Sequence, residues 1–399
     1  MRMTAIICVL SLCACNSEEV PNGAVVVQEA GATTALGDPL PGLSADLLAR
    51  FEAGKEEFET AEDPADGLGP VFNNVSCVAC HLSPAAGGSS VLVETRFGRV
   101  GSDGVFDPLA NLGGSLIQSQ GFGTVGSCTI VGETVPAIAN VVAGRRTTPL
   151  FGLGLVDAVS DDTFEILALA ERLLPDSLGG KVAHVTNADT GQPAVGKFGW
   201  KAGVPTLHVF SGDAYLNEMG ITSPSFPNEN CPQGDCSKLV NCDPKPDPED
   251  DGTDVGKFAD FMTLLAPPPH KSLSLRGAAG AILFAAMNCV GCHTPALVTA
   301  PNAIPQLDQV TFFPFSDFLL HDMGSLGDGI AQGAAGRREM RTAPLWGVSA
   351  EPFFLHDGRA ATLSDAILAH DGQGRAARDR FARLSLGNRA LVIQFLNEI

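Results

Sequence analysis

Apolar residues in this chain come in short blocks, and none approaches the roughly eighteen residues needed to cross a bilayer. The first block is N-terminal. "MRMTAIICVLSLCAC" carries one positive charge and an apolar core from Ala5 to Leu12, closed by Leu12-Cys13-Ala14-Cys15. That pattern has the form of a bacterial lipoprotein signal, cut before Cys15 so that this cysteine takes the lipid; an ordinary secretory signal cut nearby is the alternative. Residues 1–14 are then the signal, and 15–45 read as a flexible tether containing Gly, Pro and Ser. Further on, "GAAGAILFAAMN" is an apolar, helix-compatible run. In "ATLSDAILAHDG", Thr362 followed by Asp365 and an apolar run predicts a helix start. Asp371-Gly372 ends that helix, which puts His370 at its C-terminus. Three prolines in "LLAPPPHKS" stop another helical stretch and mark a domain boundary, dividing the rest into 46–268 and 269–399.

Bulk properties narrow the class. A chain of 399 residues can build two domains, each with its own core. Hydrophobic content of 45% with 18% charged residues describes a globular protein. The formal charge of −20 argues against nucleic acid, which attracts Lys and Arg, and fits a basic or small neutral partner better.

The eleven cysteines sort by position. Cys8, Cys13 and Cys15 belong to the signal. Cys128, Cys231, Cys236 and Cys242 are an even set in an exported chain, which predicts two disulfides with three possible pairings; free buried thiols are the alternative. "NENCPQGDCSKLVNC" has no histidine among its cysteines, so a cross-linked loop is expected there rather than zinc.

The remaining four sit in "VSCVACHLSP", from Val75, and "MNCVGCHTP", from Met287. A helical turn puts residues i, i+3 and i+4 on one face, so both thiols can add to haem vinyl groups while the imidazole reaches the iron. C-x-x-C-H is a c-type haem attachment signal. Zinc would need more protein ligands than one unit offers, and a thioredoxin-like pair is the other rival. Two copies predict two covalently bound haem c groups, on Cys77, Cys80 and His81 and on Cys289, Cys292 and His293. His81 and His293 are the expected proximal ligands.

The repetition extends further, because "RTTPLFGL" from Arg146 echoes "RTAPLWGV" from Arg341. It then breaks. After the second echo the chain offers His370; after the first, "GLVDAVSDDTFEILALAERLLPD" offers neither histidine nor methionine. The two units differ where a second iron ligand would come from.

"FFLHDGRAATLSDAILAH" together with the two haem units resembles the di-haem cytochrome c peroxidase superfamily. "KFGWKAGVPTL", "NEMGITSPSFPNENC", "LLHDMGSLGDG" and "RTAPLWG" resemble its di-haem oxidoreductase branch, also called thiol oxidoreductases. The resemblance runs from about Leu47 to Ile399. It implies a mainly α fold of two cytochrome c-like haem domains with long loops, one haem facing peroxide and the other passing electrons. It also implies a distal ligand fourteen residues after the histidine of an F-H-x-G motif, here His356, which gives a His293/His370 pair on the second haem. Met323 is the second choice for that position. An imidazole there, where peroxidases often have methionine, lowers the potential.

The chain also departs from the peroxidase pattern. "PAAGGSSVLVETRFG" lacks the displaceable histidine of the first haem, and no tryptophan stands near "VDAVSDD" to bridge the haems. Trp346 is the better relay candidate, with Trp200 and Tyr215 the other indole and phenol, although core packing accounts for Trp346 as well. His184, His208 and His270 read as hydrogen-bonded histidines, and "DPKPDPEDDGTD" as a solvated loop before a calcium site. No reactive C-x-x-C pair remains for thiol chemistry once the haems are attached.

The expected function is a peroxidase-like di-haem oxidoreductase with an open N-terminal haem and a bis-histidine C-terminal haem. A di-haem electron carrier is the alternative, and oxidation of a partner protein or organic substrate is a third reading. Its partners would be an electron donor or acceptor protein and a small oxidant such as hydrogen peroxide. It would meet a membrane only through a lipid at Cys15, as a periplasm-facing lipoprotein, on the outer membrane by preference.

Overall fold

Two helix pairs, one in each half of the chain, set the architecture. The computed structural model describes residues 34–174, 176, 178–242 and 245–399. The expected signal, Cys15 and the first part of the tether lie outside the described residues. The helices are α1 (Ala45–Glu59), α2 (Cys77–Cys80), α3 (Leu153–Asp157), α4 (Asp161–Glu171), α5 (Leu207–Ala214), α6 (Thr253–Leu264), α7 (Leu275–Ala286), α8 (Leu363–Ala369), α9 (Arg375–Arg383) and α10 (Leu386–Leu396). None of them is long and apolar enough to cross a membrane.

Helix α1 begins where the Ser44 hydroxyl accepts from the Leu47 amide at 3.3 Å, and it packs along α6. At their crossing, a Cβ on Gly54 would run into the Lys257 carbonyl, so only glycine allows the approach. Phe51 and Phe58 of α1 meet Phe258 and Phe261 of α6, all buried. Each contributes about 1.5–3 kcal/mol of burial. The second half repeats the device. Helix α7 packs on α10, and a Cβ on Gly280 would meet the Leu391 carbonyl. Each half thus clasps the helix before its C-x-x-C-H unit against its own last helix.

The core is not divided at residue 268. One cluster runs from Leu40 to Trp346 and includes Phe312, Phe318 and Leu319 beside the α1–α6 residues. A smaller cluster joins Phe284, Met287, Phe381, Val392 and Phe395. Between the helices run short antiparallel pairs. Strand Val93–Val100 pairs with Val141–Arg146 in a register that sets Val93 opposite Arg146, and Leu320–Asp322 pairs with Glu339–Arg341. Where long loops were expected, much of the connecting chain is built of such small sheets.

Several expectations can be placed directly. The Thr362 hydroxyl accepts from the Asp365 amide at 3.1 Å and starts α8, and His370 caps its end. Helix α6 stops before Pro267, Pro268 and Pro269. Among the described residues, the four cysteines outside the C-x-x-C-H units pair as Cys128–Cys242 and Cys231–Cys236. One part of the tether needs correction: Leu40 is buried, and its amide donates to the Leu264 carbonyl at 2.7 Å. Packing of that leucine on the end of α6 fixes residues that composition alone made flexible.

Candidate functional site

The two C-x-x-C-H units fold differently and end alike. The first is the short helix α2, with His81 as its cap and the His81 amide donating to the Cys77 carbonyl at 3.1 Å. The second is a 3₁₀ turn, Cys289–Gly291, not the α-turn expected, yet the His293 amide still reaches the Cys289 carbonyl at 2.9 Å. In both, the i to i+4 bond turns the histidine back over the first cysteine of its unit. Cys77, Cys80, Cys289 and Cys292 are the free thiols among the described residues.

Three histidines share one arrangement. His81 Nδ1 lies 3.0 Å from the Gly88 carbonyl, His293 Nδ1 3.0 Å from that of Phe315, and His370 Nδ1 2.8 Å from that of Ala366. A main-chain carbonyl can only accept, so Nδ1 carries the proton and Nε2 keeps a free lone pair. Burial pushes His81 and His293 down to about 4 and lowers His370 as well, so all three are neutral. A neutral imidazole held by its second nitrogen is the form that binds a metal. The remaining five histidines are engaged otherwise. His184 lies by Glu165, His208 bonds Asp189, His270 stands edge-on to Phe313 and His356 edge-on to Trp200, while His321 sits beside Cys292.

His293 and His370 face each other with ring centroids 6.5 Å apart. A metal–nitrogen bond of about 2.0–2.1 Å and roughly 1.2 Å from nitrogen to ring centre, each taken twice, come to about 6.4–6.6 Å. The ring separation is thus compatible with two imidazoles sharing one ion. The two rings, Cys289 and Cys292 line a cavity of about 270 Å³ with apolar walls that include Phe284, Leu363, Ile367 and Leu396. Two thiols, two neutral imidazoles and an apolar slot are the donor set a covalently held haem needs. Met323 lines the same cavity, with its methyl group beside Gly374 on the flank of His370. Among the described residues His81 has no such counterpart: the ring against it is Phe58, at 5.8 Å.

Two clusters were not foreseen. Near the first unit, Glu94 pairs with Arg96 at 2.9 Å and shares a hydrogen bond with Glu218. Burial and the neighbouring Glu94 push Glu218 up to about 8, whereas burial of Glu94 is outweighed by Arg96, which keeps it ionised. One carboxyl holds its proton beside one that has lost it. Both act on Cys80, whose thiol rises to about 11 through burial and then Glu218. Near the second unit, burial opposes a charge on His321, but Asp317, 3.0 Å away, outweighs it and keeps the ring protonated. His321 Nδ1 points at Cys292 Sγ, 3.6 Å off. The sequence carried a hint of His321 in "LLHDMG", but the glutamate pair is assembled from segments with no shared motif.

The aromatic residues fall into place more simply. Trp346 is buried against Phe312, Trp200 donates Nε1–H to the Arg146 carbonyl at 2.8 Å, and both line the cavity. Tyr215 is buried, with its hydroxyl 3.3 Å from Glu62.

No curated protein matches the sequence. Among solved structures, the chain is similar to the diheme peroxidase BthA of Burkholderia thailandensis, at 17% identity over 92% of this chain and 87% of that one, TM-score 0.40. A MauG-like protein associated with microbial copper homeostasis gives 14% identity, 89% coverage of each chain and a TM-score of 0.41. Kuenenia stuttgartiensis hydrazine synthase gives 13% identity, full coverage of both chains and a TM-score of 0.39. Residues 137–399, about two thirds of the sequence, match the family model described as "Di-haem oxidoreductase, putative peroxidase". The chain belongs to this family of di-haem, peroxidase-like oxidoreductases.

Proposed function

We propose that this chain reduces peroxide at an N-terminal haem held by Cys77, Cys80 and His81. A C-terminal haem, held by Cys289, Cys292, His293 and His370, passes the electrons from a donor protein. One observation carries this reading: the His370 ring lies 6.5 Å from the His293 ring, and among the described residues no imidazole is so paired with His81. When bound, haem supplies an iron that exchanges electrons and, where a coordination position is open, takes an oxidant.

The chain's own residues do the rest. The Gly88 carbonyl fixes the His81 ring and its tautomer, and Phe58 packs against it. Splitting peroxide calls for a proton at the departing oxygen; Glu218, pushed up to about 8, holds one near the first unit, and Glu62, pushed up to about 7 by burial, is a second such carboxyl. Arg96 keeps Glu94 charged, so the pair can take the proton back. The Phe315 and Ala366 carbonyls hold His293 and His370 by Nδ1, which leaves each Nε2 to ligate and little to rearrange at the second site on electron transfer.

The proposal includes export and a lipid at Cys15, which rests on the N-terminal pattern of apolar residues and cysteines.

The test uses two variants of the holoprotein. Wild-type protein, with a reduced c-type donor, should consume hydrogen peroxide. Cys77→Ala/Cys80→Ala should abolish the spectral response to peroxide. Cys289→Ala/Cys292→Ala should leave one covalent haem by pyridine haemochrome assay and keep that response while turnover with the donor stops. No response in the wild type under any degree of reduction would make the chain an electron carrier.

A further inference from the structure

Around the cavity that holds His293 and His370, the charge of the chain is reversed. The sequence has 45 acidic residues and 25 basic ones. The cavity is lined by Arg146, Lys197, Arg341 and Arg378 against the single carboxylate of Glu351. Three of the four cations are neutralised within the protein. Arg146 lies 2.7 Å from Glu351, Lys197 3.3 Å from Asp161, and Arg378 2.9 Å from Asp379.

Arg341 is the exception. It is 6% exposed, and among the described residues no carboxylate lies at ion-pair distance from it. Its Nε donates to the Gly199 carbonyl at 2.7 Å and its Nη1 to that of Thr342 at 3.0 Å, while the guanidinium lies over the Phe318 ring. Asp317 acts on it only from a distance, because its two oxygens accept from the Leu319 amide and His321 Nε2. Burial pushes Arg341 down to about 10, so it is still charged at neutral pH. A buried cation without a counter-ion is costly, and structures that keep one supply it with an anion.

Its place says which anion. Phe318 closes the segment in which the Phe315 carbonyl holds His293 and the Asp317 amide donates to the Cys292 carbonyl at 3.0 Å. Arg341 is thus fixed beside the second C-x-x-C-H unit. Arg146 and Arg341 are also the same position in the two echoes, "RTTPLFGL" and "RTAPLWGV". One has its carboxylate in the chain, and the other faces the cavity without one.

We propose that Arg341 is the anion-binding residue of this cavity and that its ligand is a carboxylate of the cofactor held at Cys289, Cys292 and His293, a haem propionate. This rests on the reading that the cavity takes that haem. A planar guanidinium with one nitrogen uncommitted suits a carboxylate oxygen.

The experiment compares wild type, Arg341→Gln and Arg341→Lys as holoproteins by pyridine haemochrome assay, pH-dependent potentiometry and resonance Raman spectroscopy of the propionate bending band. Both variants should keep two haems. In Arg341→Gln the reduction equilibrium of the C-terminal haem should fall about tenfold, or 59 mV for one electron. The propionate, having lost its cation, should also titrate at higher pH, and its Raman band should shift. Arg341→Lys should restore most of the potential while its band stays shifted, because an ammonium cannot copy the fork. Two haems with unchanged potential and band in both variants would overturn the assignment. If Arg341→Gln does not fold, an unshifted band in Arg341→Lys would overturn it alone. A wild-type spectrum that responds to added acetate would assign the site to a free carboxylate and overturn the propionate. Fewer than two haems in the wild type would overturn the reading of the cavity itself.

Discussion

Replacing Asp328 should cost more stability than any surface change, because one carboxylate neutralises two buried cations. Its Oδ2 lies 2.7 Å from Arg145 Nη2 and its Oδ1 2.8 Å from Lys201 Nζ, and the three side chains are 3%, 1% and 0% exposed for Arg145, Lys201 and Asp328. Lys201 also donates to the Glu339 carbonyl at 2.6 Å. The group therefore ties the strand carrying Arg146 to the segment carrying Trp200 and to the strand ending at Arg341, all walls of the cavity. Removing one partner of a buried ion pair costs about 3–5 kcal/mol. Asp328→Asn, which keeps an acceptor oxygen, belongs at the low end and Asp328→Ala at the high end. At about 2 °C per kcal/mol for a chain of this size, the holoprotein's Tm should fall by roughly 6–10 °C in calorimetry at pH 7. Burial works against the Asp328 charge, but Arg145 and Lys201 outweigh it and lower its pKa. The contribution is thus present above the ordinary carboxylate range, about pH 4, and is lost as pH falls through the lowered folded value. The mutant penalty should shrink over the same acid range. Replacing all three residues by apolar ones of similar size should recover much of the loss. A Tm change under 2 °C at pH 7, or a penalty that persists undiminished in acid, would refute the reasoning.

Two further outcomes follow from other parts of the molecule. If Glu218 gives the proton, peroxide reactivity should be full at lower pH and fall as pH rises through about 8, where that proton leaves. Glu218→Gln should cut the rate by about 10²–10⁴-fold and remove this limb with both haems retained, and a wild-type profile flat through pH 8 would rule the role out. Mass spectrometry of protein extracted from membranes should find a lipidated N-terminal Cys15, and a mature chain starting elsewhere and free of lipid would contradict the anchor.

What the sequence made legible is local. C-x-x-C-H declares itself in five residues, and Thr362, Asp365 and Asp371-Gly372 bound α8 closely enough to set His370 at its cap. The proline run stops α6 for a reason confined to the backbone of those residues. What stayed hidden was made by contact between distant segments. Glu94 and Glu218 lie on a strand and on the turn after α5, and only packing pushes their proton affinities apart. Arg146 and Arg341 look identical in the echoes, and only the position of Glu351 separates them. The small sheets were missed because strands of two or three residues, such as Val71–Phe72, are too short to show alternation. Leu40 stood in a stretch whose composition outweighed one apolar side chain.

The central claim is that one iron site is open and the other closed by His293 and His370. Electron paramagnetic resonance of the resting ferric protein tests it most directly. The account predicts one high-spin and one low-spin species, with His370→Ala turning the low-spin signal high-spin and leaving the other untouched. Two low-spin signals in the resting protein, or a low-spin signal that survives the loss of His370, would contradict it.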